Sequence, residues 1–156
     1  VNEFAERVEA QFLPGEKPWH VPVDVALPCA TQNELNENDA AILIKNGINC
    51  VAEGANMPCT AGAVEQFQRA KVLFAPGKAS NAGGVATSGL EMSQQAMRLS
   101  WTSSEVDMRL QEIMRAVHHS CTEYGKQADG TVNYVDGANI AGFVKVAEAM
   151  LAQGVI

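Results

Sequence analysis

Nothing in this chain approaches the roughly 20 consecutive apolar residues that a membrane-spanning helix needs, although 47% of its residues are hydrophobic. A membrane partner is not expected. Basic residues are scarce: 11 Lys and Arg stand against 18 Asp and Glu, for a net charge of -7. No Lys/Arg cluster stands out, so nucleic acid is not an expected partner either. Cysteine is sparse. Cys29, Cys50, Cys59 and Cys121 form no C-x-x-C pair, and two sit in or beside apolar runs. Buried free thiols in a cytoplasmic protein are the expectation. His118, His119 and Cys121 are close in sequence, but consecutive helical residues do not face each other, so no metal site is expected there. His20, after Pro18-Trp19, reads as a loop residue. No G-x-G-x-x-G/A run follows a strand, so the glycine loop that cradles a pyrophosphate is missing. Residues 1–7 lack the basic start and apolar centre of a signal peptide. They begin without Met and read as the middle of a helix, which suggests a fragment of a longer protein.

What is present is an alternation. At 156 residues the length suits about one domain. Residues 1–10 follow the helical period, and Gln11-Phe12-Leu13 reads as a short strand. Residues 21–27 read as a buried strand ending at Pro28-Cys29-Ala30-Thr31-Gln32-Asn33. Asn36 or Asn38 caps a helix running to about Asn46, with Ala40, Ala41, Leu43 and Ile44 as its apolar side, and Gly47 ends it. Cys50-Val51-Ala52 is the next strand, followed by Glu53-Gly54-Ala55-Asn56-Met57-Pro58. Thr60 caps a helix with Val64 and Phe67 inward, and residues 72–75 form a third strand. Such alternation predicts right-handed βαβ units in a parallel sheet, with every strand-end loop at one edge.

Beyond Gly84 only helices are expected. Val85, Met92, Ala96 and Leu99 mark one apolar stripe. Thr102-Ser103-Ser104-Glu105 is a capping box. Val106, Leu110, Ile113, Met114, Val117, Cys121 and Tyr124 follow helical spacing, and Gly125 stops that helix. A polar turn over 126–133 precedes a last helix starting at Asp136 or Asn139. It carries Ile140, Phe143, Val144, Ala147, Met150 and Leu151, and ends at Gly154. The methionines on these stripes read as core filler.

The third strand runs into Pro76-Gly77-Lys78-Ala79-Ser80-Asn81-Ala82-Gly83-Gly84-Val85-Ala86-Thr87-Ser88-Gly89. Here Asn81 reads as a helix N-cap, and Gly83-Gly84 as a loop that admits a backbone or a ligand. A helix N-terminus would then point free amides beyond the sheet, where carboxylates and phosphates bind. Val85 and Ser88, three residues apart, share a helix face just past Asn81.

As a phrase, this stretch resembles the substrate and nicotinamide loop of the hexameric glutamate dehydrogenases. Pro28 to Glu34 resembles the loop over the cofactor's ribose, and Glu53 to Pro58 the next such loop. The tail Gly137-Ala138-Asn139-Ile140-Ala141-Gly142-Phe143 resembles the family's last helix. The resemblance is to the bacterial members, of NADP type, and runs over nearly the whole chain.

The resemblance implies an α/β fold: a partial three-layer, Rossmann-like parallel sheet followed by C-terminal helices. Residues 1–84 would be the second half of a nucleotide-binding domain, and 85–156 a helical segment packing on it. Ala30, Thr31, Gln32, Gly54, Ala55, Asn56 and Asn81 would contact the cofactor, NADP or NAD. Val85 and Ser88 would line the pocket for the side-chain carboxylate of L-glutamate or 2-oxoglutarate. The catalytic lysine and aspartate lie in an N-terminal substrate domain that nothing here matches. Lys78 belongs to the strand-end loop and reads as a rim charge. The chain alone is therefore expected to be inactive, and the family implies a homo-hexamer. Two rivals are a dehydrogenase for apolar amino acids on the same fold and a non-catalytic nucleotide-binding or assembly module. Ser88 argues against the first, because a hydroxyl poorly suits an isobutyl group. The missing glycine fingerprint supports the second.

Overall fold

The protein is described from a computed structural model that covers residues 2–154. Helix α1, Asn2–Arg7, comes first; Val1 lies outside the described residues, and Gln11-Phe12-Leu13 is not a strand. Three strands then alternate with helices: β1 Val25–Ala26, α2 Glu37–Lys45, β2 Cys50–Ala52, α3 Ala61–Arg69 and β3 Leu73–Ala75. The strands are parallel, in the order β1-β2-β3. Parallel pairing forces each connection to cross back over the sheet. All three carboxyl ends therefore lie at one edge.

Local chemistry explains the helix starts. Asn36 Oδ1 accepts from the amides of Asn38 and Asp39, and the Asp39 carboxylate accepts from the Asn36 amide, closing a capping box. The Thr60 hydroxyl caps α3 through the Ala63 amide. Gly47 ends the turn after α2 at φ +83°, in the left-handed region that glycine enters freely.

The register sets Ala26, Val51 and Phe74 side by side. All three are buried, with Leu43, Ala63 and Phe67. Phe67 stacks on Phe74 at a centroid distance of 5.9 Å, which adds about 0.5–1.5 kcal/mol beyond the area buried. The adjacent positions point to the other face, where Val25 and Leu73 are 51% and 50% exposed. The buried strand expected over 21–27 is thus corrected. Only Val25–Ala26 pairs, and Val21, Val23 and Leu27 are exposed as well. Among the described residues β1 and β3 are the two outer strands, each bonded on one side only.

After β3 come α4 Gly77–Ser80, α5 Ala82–Met97, α6 Ser103–Gly125 and α7 Tyr134–Gln153. Thr102 and Glu105 form the expected capping box. The last helix begins earlier than its apolar pattern suggests. Asn133 is its cap, because Oδ1 accepts from the amides of Val135 and Asp136 at 3.1 and 3.2 Å. The stripe methionines are not all core filler: Met92 and Met150 are more than half exposed, as are Val85, Phe143 and Leu151, whereas Met114 is half-buried. Periodicity shows that a face is apolar; it does not show what covers it.

Of the cysteines, Cys59 and Cys121 are buried, Cys50 is half-buried and Cys29 is exposed, so the expectation of buried thiols fails at Cys29. Burial pushes the Cys59 thiol up, and the neighbouring Glu53 carboxylate adds to this. Alkylation needs a thiolate within reach of the reagent. Iodoacetamide at neutral pH should therefore modify Cys29 first and leave Cys59 and Cys121 protected. Peptide mass mapping over time would detect equal rates, which would contradict this burial pattern.

Candidate functional site at the carboxyl edge of the sheet

The three strand-end loops are stitched into one surface. The Pro28 carbonyl, after β1, accepts from the amides of Gly54 and Ala55, after β2, at 2.9 and 3.2 Å. Asn33 donates its amide to the Met57 carbonyl at 3.0 Å. Two glycines make this approach possible. A Cβ on Gly54 would lie 2.4 Å from Cys29 Sγ, and one on Gly77 would lie 2.9 Å from the Ala55 carbonyl oxygen. Gly83 and Gly84 do not play that part. They lie inside the first turn of α5, where a Cβ on Gly83 meets only ordinary contacts and one on Gly84 meets open space.

The expected helix start is also corrected. The chain turns helical at Gly77, immediately after β3 and its Pro76. The Gly77 amide donates to Glu53 Oε2 at 2.6 Å, so a carboxylate of the protein itself already occupies that helix start. The amides of Ala79, Ser80 and Asn81 bond to Pro76 and Gly77 carbonyls. Asn81 is not a side-chain cap. Its side chain turns instead to the β2 loop, where Nδ2 donates to the Ala55 carbonyl at 3.1 Å and to Asn56 Oδ1 at 2.8 Å.

Those two bonds fix the chemistry of the pair. A backbone carbonyl only accepts, so the nitrogen of Asn81 must face Ala55. The oxygen of Asn56 must then face Asn81. What remains for a ligand is an acceptor, Asn81 Oδ1, beside a donor, the Asn56 amide nitrogen. That complement suits a ribose hydroxyl or a primary carboxamide, each of which donates and accepts together.

The other expected residues spread around this pair. Gly54 and Ala55 adjoin Asn56 within the β2 loop. The Ala30 amide is held by Glu34 Oε1 at 2.8 Å, and Thr31 and Gln32 stand exposed beside it in the β1 loop. Val85, 74% exposed, lies one turn beyond Asn81 on α5. Ser88 is exposed on the same helix, and its hydroxyl makes only a long 3.4 Å bond to the Gly84 carbonyl. Lys78 is an exposed rim charge whose Nζ donates to Asn139 Oδ1 on α7 at 2.5 Å. Among the described residues no cluster of His, Cys, Asp or Glu is arranged to hold a metal ion.

Sequence reasoning missed Glu53. It is the buried charged residue of the core region, 6% exposed. The signal for it was its place: an acid abutting an apolar strand, too close to the sheet to reach solvent.

Known proteins match this chain in sequence and in architecture. A 63% identical protein, the NADP-specific glutamate dehydrogenase of Salmonella typhimurium, matches all of this chain over 35% of its own length. The NAD-specific glutamate dehydrogenase of Bacteroides fragilis is 59% identical over 93% of this chain and 33% of itself. The crystal structure of Plasmodium falciparum glutamate dehydrogenase superposes with a TM-score of 0.93 at 45% identity, over 100% of this chain and 34% of that one. The chain thus spans about a third of the length of these relatives. The family model for Glutamate/Leucine/Phenylalanine/Valine dehydrogenase matches residues 1–154, and the chain belongs to that family.

Proposed function

We propose that this chain is the coenzyme-orienting portion of a glutamate dehydrogenase, which converts L-glutamate, NAD(P)+ and water into 2-oxoglutarate, ammonium and NAD(P)H. The observation that carries the reading is the Asn56–Asn81 amide pair at the carboxyl edge of the sheet, whose internal bonds leave one acceptor and one donor for a ligand. Relatives named as NADP-specific and as NAD-specific support either coenzyme. When bound, the nicotinamide supplies the hydride chemistry.

The chain's own residues hold and aim. Ala30, Thr31, Gln32, Gly54, Ala55, Asn56 and Asn81 form the coenzyme-facing surface. Val85 and Ser88 continue it as the wall against the substrate side chain. Residues 1–84 act as the second half of the nucleotide-binding domain and 85–156 as its helical cover. The acid/base groups come from an N-terminal substrate domain of the full-length protein, which assembles as a homo-hexamer in the cytoplasm. The exposed apolar residues of α5 and α7 offer that remainder a surface to cover.

Ser88 separates glutamate from the apolar amino acids that the family description also names. Its present bond is weak enough to yield to a carboxylate, and a hydrogen bond to a charged group contributes about 1.5–3 kcal/mol. In the full-length protein Ser88→Ala should lower kcat/KM for glutamate about 10- to 150-fold, at 1.36 kcal/mol per tenfold. Coenzyme affinity and melting temperature should hold. Ser88→Leu should lose more and gain activity on norvaline or leucine. Steady-state kinetics within about threefold of wild type for Ser88→Ala, less than a weak charged hydrogen bond gives, would remove Ser88 from the substrate pocket.

A further inference from the structure

We infer that Glu53 is a positioning residue for the nicotinamide half of the coenzyme, acting through Asn56 and Asn81; this rests on the function proposed above. Glu53 closes β2, and every polar atom it has is engaged. Its amide donates to the Ala75 carbonyl at 3.1 Å, and its own carbonyl accepts from the Ser80 hydroxyl at 2.5 Å. Oε1 accepts from the Cys59 amide at 3.2 Å, and Oε2 from the Gly77 amide at 2.6 Å. One buried carboxylate thus binds the far end of its own loop to the start of α4.

Asn56 lies between Glu53 and Cys59 on the β2 loop, and Asn81 lies one turn after Gly77. Their 2.8 Å bond forms only if the loop and the helix hold their separation. Glu53 sets that separation. Both of its partners are N–H donors, so a carboxylate satisfies them and a carboxamide cannot: Glu53→Gln turns an NH2 group against one of the two amides. A buried donor left facing a donor is costly, and the cheapest relief is for α4 to back away, taking Asn81 with it. The adenosine half of the coenzyme makes no demand on this strut.

The test uses the full-length protein and two probes, NADPH and 2′-phospho-ADP-ribose, which lacks the nicotinamide. Glu53→Gln should weaken NADPH at least about tenfold, the effect of losing one charge-assisted bond. Affinity for 2′-phospho-ADP-ribose should stay within about twofold, inside the scatter of a surface change. On an Asn81→Ala background Glu53→Gln should cost NADPH almost nothing further, since a residue acting through another is non-additive with it. Wild-type NADPH affinity in Glu53→Gln, an equal loss for both probes, or full additivity would overturn the inference. If Asn81→Ala leaves NADPH binding intact, the site assignment itself fails and Glu53 falls with it. If Asn81→Ala loses NADPH and Glu53→Gln does not, only the role of Glu53 fails. Should Glu53→Gln not fold, Ser80→Ala removes a second tie between Glu53 and α4, the bond from the Ser80 hydroxyl to the Glu53 carbonyl. It should give a nicotinamide-selective loss of roughly two- to fivefold, the range of one neutral hydrogen bond; no loss there would equally overturn the inference.

Discussion

Asn81→Ala in the full-length protein is expected to lower kcat/KM for the coenzyme by about 30- to 1,000-fold and to lower the melting temperature by a few degrees. The side chain does two things at once. It holds the β2 loop through the Ala55 carbonyl and Asn56 Oδ1, and its own oxygen is left for a ligand. Truncation removes that acceptor and frees Asn56 to rotate, and it strips a half-buried carbonyl of its partner. A net hydrogen bond contributes about 0.5–1.5 kcal/mol, and an unpartnered polar group costs about 1–3. Together these give roughly 2–4 kcal/mol, which at 1.36 kcal/mol per tenfold is the range above. Asn81→Asp is the sharper variant. It keeps the shape and the oxygen left for a ligand but replaces the donor with an acceptor that faces two acceptors. Its loss should match or exceed that of alanine. Kinetics of Asn81→Asp within about threefold of wild type, too small for a lost donor between two acceptors, would show that the pair does not aim the coenzyme.

Local chemistry was the legible part of this fold. Asn36, Thr60 and Thr102 announce helix starts because a cap needs only the next three residues. β2 and β3 stood out as short apolar runs between turn signals. Asn56 and Asn81 were legible as site residues by resemblance, whereas their mutual bond was not: 25 residues separate them. Glu53 escaped for the same reason. Its partner Gly77 is 24 residues away, and only the parallel register brings the two together. The Pro76-Gly77 pair reads as a breaker, yet a helix begins on it, with Pro76 as the extended residue before α4 and Gly77 as its first residue. The helical stripes of α5 and α7 were legible as faces but not as exposed ones.

Gly137→Ala carries the largest expected effect on stability, and its sign runs against helix propensity. α6 and α7 pack backbone to backbone where they meet. A Cβ on Gly137 would lie 2.1 Å from the Cys121 carbonyl oxygen and 3.1 Å from its Cα. A Cβ on Gly125 would lie 2.4 Å from the Asn133 carbonyl oxygen. Each helix thus uses a glycine to let the other approach, and neither obstacle is the end of a flexible side chain. In an open helix Gly→Ala gains about 1 kcal/mol. Forcing a methyl group into close packing costs about 1–3 kcal/mol, or more where backbone must move. The second effect should win by roughly 2 kcal/mol, a drop of about 4–8 °C in melting temperature for a chain of this size. Gly142 is the control: it lies on the same helix, with nothing within 4 Å of its would-be Cβ. Gly142→Ala should hold or raise the melting temperature, since only propensity acts there. The displacement should also be felt at the site, because Asn139, two residues on from Gly137, accepts from Lys78 on α4, three residues before Asn81. Paired thermal melts decide it. If Gly137→Ala melts at or above wild type, or if both variants move together, the close crossing of α6 and α7 does not hold in solution.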